Sequence, residues 1–452
     1  MRFGFVNKEN MSLLTDLYEL TMAQVYFKRG MNRTAIFDFY TRKVENRSYL
    51  INAGLEQLVY YLINLKFTEE DIDYLRSTGL FEEDFLKYLK DFRFTGNVYA
   101  VDEGEVVFPD EPIVQVEAPL IEAQIIETFL INTLQLPILV ATKAMRCFSV
   151  ARGTVLVDFG LRRAHGTDAG MKAARSSFIG GFAGTSNVLA GKEYGIPIFG
   201  TMAHSFILAH KNEIEAFIDF ATVYPENAIL LVDTYDTVEG VYNAVKAMKK
   251  IGFKHFKGIR LDSGDLLSLS KISREILDKE GFKDAIIVAS GGINEYKIKE
   301  LLDRGAPIDG WGVGTELVVS ADLPYLDCAY KLVEYDGKPV MKFSKKKRTL
   351  PYKKQIYRIY EEGIIKKDVI TRYDEKVDGG RSLLKKYIEN GELIKKLPSL
   401  KEIKEKAIKS FNSLPEDMKD INRAVHLYPE ISETIERTVK ELEMKYLKER
   451  KG

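Results

Sequence analysis

Only two of the 452 residues are cysteine, Cys147 and Cys328. Two thiols are too few for a disulfide framework, or for a structural zinc site without other ligands. They read as core thiols of a reducing, cytoplasmic compartment. Charge of one sign is not in excess either: 66 Lys and Arg stand against 66 Asp and Glu, for a formal net charge of zero. A dedicated nucleic-acid binder normally shows its phosphate footprint in that total, so no nucleic-acid partner is expected beyond local basic patches. No window of 18 apolar residues is free of charge, and Lys8, Glu9, Asp16 and Glu19 precede any apolar stretch. Neither a membrane span nor a signal peptide is therefore expected. The chain also lacks a GxxxxGK[ST] motif and a well-placed GxGxxG, which removes the P-loop and the usual dinucleotide fold.

What is present is an ordinary globular balance, 45% hydrophobic and 29% charged, with length for two or three domains. The chain divides into three stretches. Residues 1–140 mix helical patterns with strands, among them AIFDFYTR (35–42), a helix over 52–65 and a Thr68-capped helix over 68–77. Residues 98–116 read as a small antiparallel unit, and 119–134 as a long helix opening on proline. Residues 141–335 change rhythm. Strand candidates at 154–160, 196–200, 228–236, 256–264, 284–292 and 308–315 alternate with helical patterns. Apolar strands that each lead into a helix predict parallel βα units, as an α/β barrel or as an open doubly wound sheet. Residues 336–452 are lysine-rich, with eight basic residues and no acid between Lys342 and Arg358, and are expected to pack back on the first stretch.

In the central stretch the polar and glycine residues follow the strands: Asp158, Asp233, Asp262, Ser290 and Gly314. Barrel chemistry collects on that face. The five histidines are read singly. His204, between a strand candidate and an apolar helical run, suits proton transfer or nucleophilic attack, against a structural role in a turn. Arg162, Arg163 and His165 suit an anion or an ordinary ion-pair network. His210, His255 and His426 read as structural. RLDSGD (260–265) and VDTYD (232–236) place carboxylates after consecutive strands, where they can accept sugar hydroxyls, hold a metal through water or cap helices. ASGGI (289–293) and GVGTE (312–316) offer successive backbone amides for a phosphate, with the Ser290 and Thr315 hydroxyls beside them. These features define an α/β enzyme that handles a phosphosugar, and no particular reaction.

The segments LLTDLYELTMAQVYF (13–27), DFGLRRAHG (158–166), GFAGTSNVLAG (181–191), GTMAHSF (200–206), IRLDSGDL (259–266), ASGGIN (289–294) and GVGTEL (312–317), in this order, resemble the nicotinate phosphoribosyltransferases. The resemblance runs through essentially the whole chain. It implies an irregular α/β barrel flanked by an α/β sandwich domain built from both ends of the chain. It implies transfer of phosphoribose from phosphoribosyl pyrophosphate to nicotinate, with Mg²⁺, coupled to ATP hydrolysis through a phosphohistidine at His204. Asp233 is then expected to orient or charge-balance the His204 ring. Tyr18 and Phe159 resemble the aromatic pair that sandwiches the pyridine, with Tyr18 supplied by the partner subunit of a homodimer. Arg162 would face the nicotinate carboxylate, Arg260 a phosphate, and Asp262 the ribose hydroxyls. Gly291, Gly292 and Gly314 would cradle the 5′-phosphate, helped by the basic stretch around Lys342 and Lys353–Arg358. Relatives that use nicotinamide carry an aspartate where this chain has Ser186; an aspartate would repel the acid, and serine can donate to it. The alternatives are a nicotinamide or quinolinate phosphoribosyltransferase, or a non-catalytic homologue.

Overall fold

The computed structural model describes residues 6–343 and 348–449. The chain forms two compact units, Met1–Ile138 with Tyr325–Gly452, and Leu139–Pro324.

The first unit is built on a seven-stranded antiparallel sheet. Its order is Lys338–Pro339, Cys328–Tyr335, Thr34–Thr41, Val114–Pro119, Asn97–Val101, Leu384–Glu389 and Glu392–Leu393. Thr34–Thr41 is a central strand, buried at every residue but the first. Both ends of the chain thus share one sheet. The pairing also corrects the expected limit of the central stretch at 335. Cys328–Tyr335 bonds along the whole of Thr34–Thr41, so the chain returns to the first unit at Tyr325. The helix at Glu69–Ser77 starts at Thr68, whose side chain accepts from the Asp71 N–H while the Asp71 carboxylate accepts from the Thr68 N–H. The helix expected over 119–134 breaks at Ile126 into Leu120–Ile125 and Glu127–Val150. Glu127–Val150 has the length and composition to cross a membrane, and 72% of its apolar window is buried inside the protein.

In the basic run after Lys342, Lys353, Lys354 and Arg358 are each taken up by a carboxylate rather than left open for a phosphate. Lys354 Nζ is buried against Asp38 at 2.8 Å and the carbonyls of Leu350, Pro351 and Tyr352. Arg358 pairs with Asp368 at 2.6 Å, with neither side chain exposed, and Lys353 bonds Glu117 and the Tyr99 hydroxyl at 2.9 Å. Their spacing on a strand marked them as basic, whereas the sheet had already assigned each a carboxylate. Residues 344–347 of this run lie outside the described residues.

The second unit holds six parallel strands in the order Gly184–Thr185, Val155–Asp158, Gly310–Val313, Ile286–Ser290, Gly258–Leu261 and Ile229–Leu231. Helices follow the strands, several of them capped by a polar side chain at the turn: Asn187, Asn212, Asp236, Asp265 and Asn294. IPIFG contributes a single bridge, Ile198 to Thr185, rather than a strand. A cavity of about 710 Å³ decides between barrel and open sheet. Its walls include Ile198 and Phe199 beside one edge strand, Ile229 on the other, and Val288 and Trp311 from the middle. Residues from both edges can line one cavity only if the sheet curls round on itself. Among the described residues the two edge strands are not paired, so the barrel is irregular.

Candidate active site

Strand register brings the site to one rim. Leu231 pairs with Arg260, Ala289 with Leu261, Ser290 with Gly312, Val313 with Asp158, and Asp158 with Thr185. The residues just past these pairs are Asp233, Asp262, Gly291, Gly314, Phe159 and Ser186. Parallel strands ending at one level therefore assemble residues that are far apart in the chain.

Arg260 is the most constrained of them. Its side chain is 13% exposed. Nη1 donates to Thr201 Oγ1 at 2.5 Å, Nη2 lies 3.8 Å from Asp262 Oδ1, and Nε is buried without a hydrogen-bond partner. Burial lowers the guanidinium pKa, opposed by Asp262 and Asp233, and the charge of Arg162 lowers it further. A buried N–H left unmade costs about 1–3 kcal/mol, which an anionic oxygen at that position recovers.

Asp262 receives the Ser290 hydroxyl on Oδ1 at 2.5 Å, and its own N–H donates to Asp233 Oδ2 at 3.0 Å. The Ser263 hydroxyl donates to the same Asp233 oxygen at 2.6 Å, while Asp233 Oδ1 is buried with no partner. His204 begins the short helix His204–Leu208. Its Nδ1 lies 3.1 Å from Thr234 Oγ1 and its Nε2 4.0 Å from Asp262 Oδ2. The expected Asp233–His204 relation is thus corrected: Asp233 braces the Asp262 turn, and Thr234 holds the ring. Of the four carboxylates in the two turns, Asp236 and Asp265 are helix caps.

Gly291 has φ +82°, and a Cβ there would stand 2.0 Å from the Asp262 carbonyl oxygen, so only glycine fits. Gly292 is exposed with no neighbouring atom within 4 Å of a built Cβ. Gly314 lies half-buried beside the Phe159 carbonyl, and Thr315 is exposed. The Asn294 amide links the two glycine turns by donating to Glu316 Oε2 at 3.3 Å.

The Phe159 ring lies over Gly312, where any Cβ would meet it at 2.2 Å. Asp158, buried and with its pKa raised by burial, organises this corner. Oδ1 accepts from the Gly160 N–H at 2.8 Å, Oδ2 accepts from the Thr185 hydroxyl at 2.7 Å, and its carbonyl accepts from the Ser186 N–H at 2.8 Å. Arg162 is exposed on the turn Leu161–Arg163. The sequence placed Asp158 on this face but gave it no role, and Thr185, Thr201 and Thr234 went unnoticed as site residues, because a hydroxyl beside a motif carries no pattern of its own. His210 and His255 face Asp219 and Asp284, which leaves them structural, and His426 is half-buried with its pKa lowered by burial.

Tyr18 belongs to the first unit, on the helix Leu17–Lys28, and is 45% exposed. Burial of part of the ring, with Glu127 and Glu19 nearby, raises its pKa. Glu19 itself is raised to about 7, by burial first, against hydrogen bonds from Thr128 and Thr15.

Among the described residues no group of three or more His, Cys, Asp or Glu is arranged to hold a metal. The oxygen donors that fit a hard cation are the unpartnered Asp233 Oδ1 and the Asp262 carboxylate.

A parallel barrel with a buried arginine, a carboxylate and glycine turns on one rim defines a phosphosugar transferase of the barrel class. The comparisons narrow the class. Residues 13–135 match the nicotinate phosphoribosyltransferase N-terminal domain, and residues 154–361 match the nicotinate phosphoribosyltransferase family. The chain is 46% identical over 421 residues to nicotinate phosphoribosyltransferase pncB2 of Mycobacterium tuberculosis, covering 92% of this chain and 90% of that one. It is 43% identical over 399 residues to nicotinate phosphoribosyltransferase of Bacillus subtilis, covering 85% and 80%. Among solved structures, human nicotinic acid phosphoribosyltransferase superposes with a TM-score of 0.84 at 26% identity, over 95% of this chain and 99% of that one. Nicotinate-nucleotide pyrophosphorylase from Pyrococcus furiosus does so with 0.76 at 27%, over 94% and 100%. The chain belongs to the nicotinate phosphoribosyltransferase family, and it is an enzyme of that family.

Proposed function

We propose that the chain joins nicotinate to phosphoribosyl pyrophosphate, giving nicotinate mononucleotide and pyrophosphate. Beyond family membership, one observation carries this reading. Arg260 presents a desolvated cation with an unmade N–H beside Asp262, at the ends of adjacent parallel strands. A cation for phosphate oxygens and a carboxylate for vicinal hydroxyls are what a phosphoribosyl group requires.

The reaction needs no general base. The pyridine nitrogen lone pair forms the bond to C1′ as the bond from C1′ to the pyrophosphate oxygen breaks, and that electron pair leaves with pyrophosphate. Phe159, pinned over Gly312, presents one face to the base, and Tyr18 of the partner subunit supplies the other in a homodimer with shared sites. Holding the nitrogen in line with C1′ contributes most of the acceleration available to such a weak nucleophile. Arg162 meets the nicotinate carboxylate and Ser186 donates to it. Asp262 accepts the ribose hydroxyls while Arg260 counters the charge growing on the leaving group. The amides of Gly291, Gly292 and Gly314, with Ser290 and Thr315 beside them, take the 5′-phosphate. Mg²⁺, held through Asp233 and Asp262 with the substrate's own phosphates, would supply further neutralisation of pyrophosphate.

For ATP coupling, His204 offers Nε2 while Thr234 occupies Nδ1. Attack of Nε2 on the γ-phosphorus releases ADP, and later hydrolysis of the phosphohistidine releases phosphate. In the phosphorylated state roughly −2 of charge stands near Asp262, enough to bias closure or pyrophosphate release. Substrates are small molecules, and two unpaired cysteines suit a cytoplasmic setting.

The test is product formation with and without ATP, in wild type and His204→Ala. ATP should stimulate the wild type severalfold and leave the variant at the unstimulated rate. Equal stimulation of both would remove His204 from the coupling and leave the transfer reaction standing.

A further inference from the structure

Behind the two glycine turns lies a buried ion cluster that the reaction does not use. Lys143, on the Glu127–Val150 helix, has no exposed side-chain surface. Its Nζ is 2.7 Å from Glu295 Oε2 and 2.7 Å from Asp322 Oδ1. Arg146 donates from Nε to Glu295 Oε1 at 2.9 Å and from Nη2 to the Tyr296 hydroxyl at 2.9 Å. Glu295 is fully buried as well, and Asp322 is 24% exposed. Taking two cations and two carboxylates out of water is costly, and an apolar set of similar volume commonly does as well for stability. Bulk stability is therefore a poor reason for the cluster.

Its place in the chain supplies a better one. Glu295 opens the helix Glu295–Asp303, directly after the Gly291–Gly292 turn and its cap Asn294. Asp322 comes after the Gly314–Thr315 turn and the short helix Thr315–Val318. One ammonium group thus grips the chain just downstream of both turns. The Asn294–Glu316 hydrogen bond is a second, shallower link between the same two segments. Burial lowers the Lys143 pKa, and Glu295 and Asp322 together raise it by more, so the ammonium keeps its charge. Gly291 and Gly292 sit at φ +82° and +64°, and Gly292 meets no side chain that would brace it from the solvent side. Amides from two separate strand ends can bind one phosphate only if the distance between the turns is held to a few tenths of an ångström.

We propose that Lys143, Glu295 and Asp322 form a clasp that sets the spacing of the two glycine turns, which makes Lys143 and Asp322 positioning residues for the phosphate end of the sugar substrate. This rests on the reading that those turns hold the 5′-phosphate. The other half of the cluster, Arg146 on Glu295, keeps the helix start anchored when the clasp is weakened at Asp322.

The experiment uses the full chain and Asp322→Asn, which removes the charge of the clasp's most exposed member, so weakening its hold on Lys143, and keeps the side-chain shape. The KM for phosphoribosyl pyrophosphate and the Kd of ribose 5-phosphate should both rise about tenfold, with the KM for nicotinate within about twofold. Asp322→Glu should recover part of the loss. Leu277→Ala, a buried cavity in the same barrel, serves as the comparison for lost stability alone and should lower Tm without splitting the two KM values. If Asp322→Asn lowers Tm as Leu277→Ala does and leaves ribose 5-phosphate binding unchanged, the clasp is structural only and the proposal falls. Gly291→Ala separates the underlying reading: if it too leaves ribose 5-phosphate binding unchanged, the turns are not the phosphate site.

Discussion

Arg260 is where a single substitution speaks most directly to chemistry. Lysine keeps the charge and loses the planar fork that serves Thr201, Asp262 and a phosphate together. Arg260→Lys should raise the KM for phosphoribosyl pyrophosphate, and Arg260→Ala should cost on the order of 10² to 10³ in kcat/KM, read from initial rates. Glu19 makes a different prediction. Its pKa in the folded protein, about 7, lies above the ordinary 4.5, so the folded chain holds a proton that the unfolded chain releases between those values. Stability from this group is therefore lost as pH rises through that window, and the charged carboxylate is a net cost above it. Relative to wild type, Glu19→Gln should gain on the order of 2 kcal/mol between about pH 5 and about pH 8, measured by urea unfolding. At this scale the sequence was informative where a polar residue falls at a strand end, as at Arg260, Asp262 and Ser290. It was silent on direction: VDTYD does not say which acid braces a turn, which caps a helix, or that Thr234 meets the histidine.

Elements were legible to the extent that periodicity is local. The parallel strands and the Thr68 cap could be read because apolar runs and capping patterns are written in neighbouring residues. The return strand Cys328–Tyr335 could not, because its identity depends on pairing with Thr34–Thr41 far away in the chain. Lys353, Lys354 and Arg358 misled for the same reason, since their carboxylate partners come from other segments. Thr68→Ala removes the side-chain half of the capping box, the bond from the Asp71 N–H, and should cost about 1 kcal/mol in urea unfolding with little effect on turnover. Gly312→Ala acts at the opposite end of importance. A methyl group there must displace the Phe159 ring, so the KM for nicotinate should rise severalfold while the KM for phosphoribosyl pyrophosphate changes little.

On the scale of the whole molecule, two units with separate cores divide the labour. The barrel rim carries Arg260, Asp262, His204 and Phe159, and the first unit carries Tyr18 on a helix whose Leu17 and Val25 are also exposed. Apolar side chains left open beside Tyr18 suit a covered surface, which the proposed shared-site dimer would give them. Tyr18→Ala and Arg260→Ala proteins, each nearly inactive alone, should regain up to about a quarter of wild-type activity when refolded together, because one of the two mixed sites is intact. The most direct measurement is nicotinate mononucleotide formation by the purified wild-type chain, with nicotinate, nicotinamide and quinolinate supplied in parallel alongside phosphoribosyl pyrophosphate and Mg²⁺. Turnover of nicotinate well above both others is the predicted result. A preference for nicotinamide or quinolinate, or no product from any of the three, would contradict it.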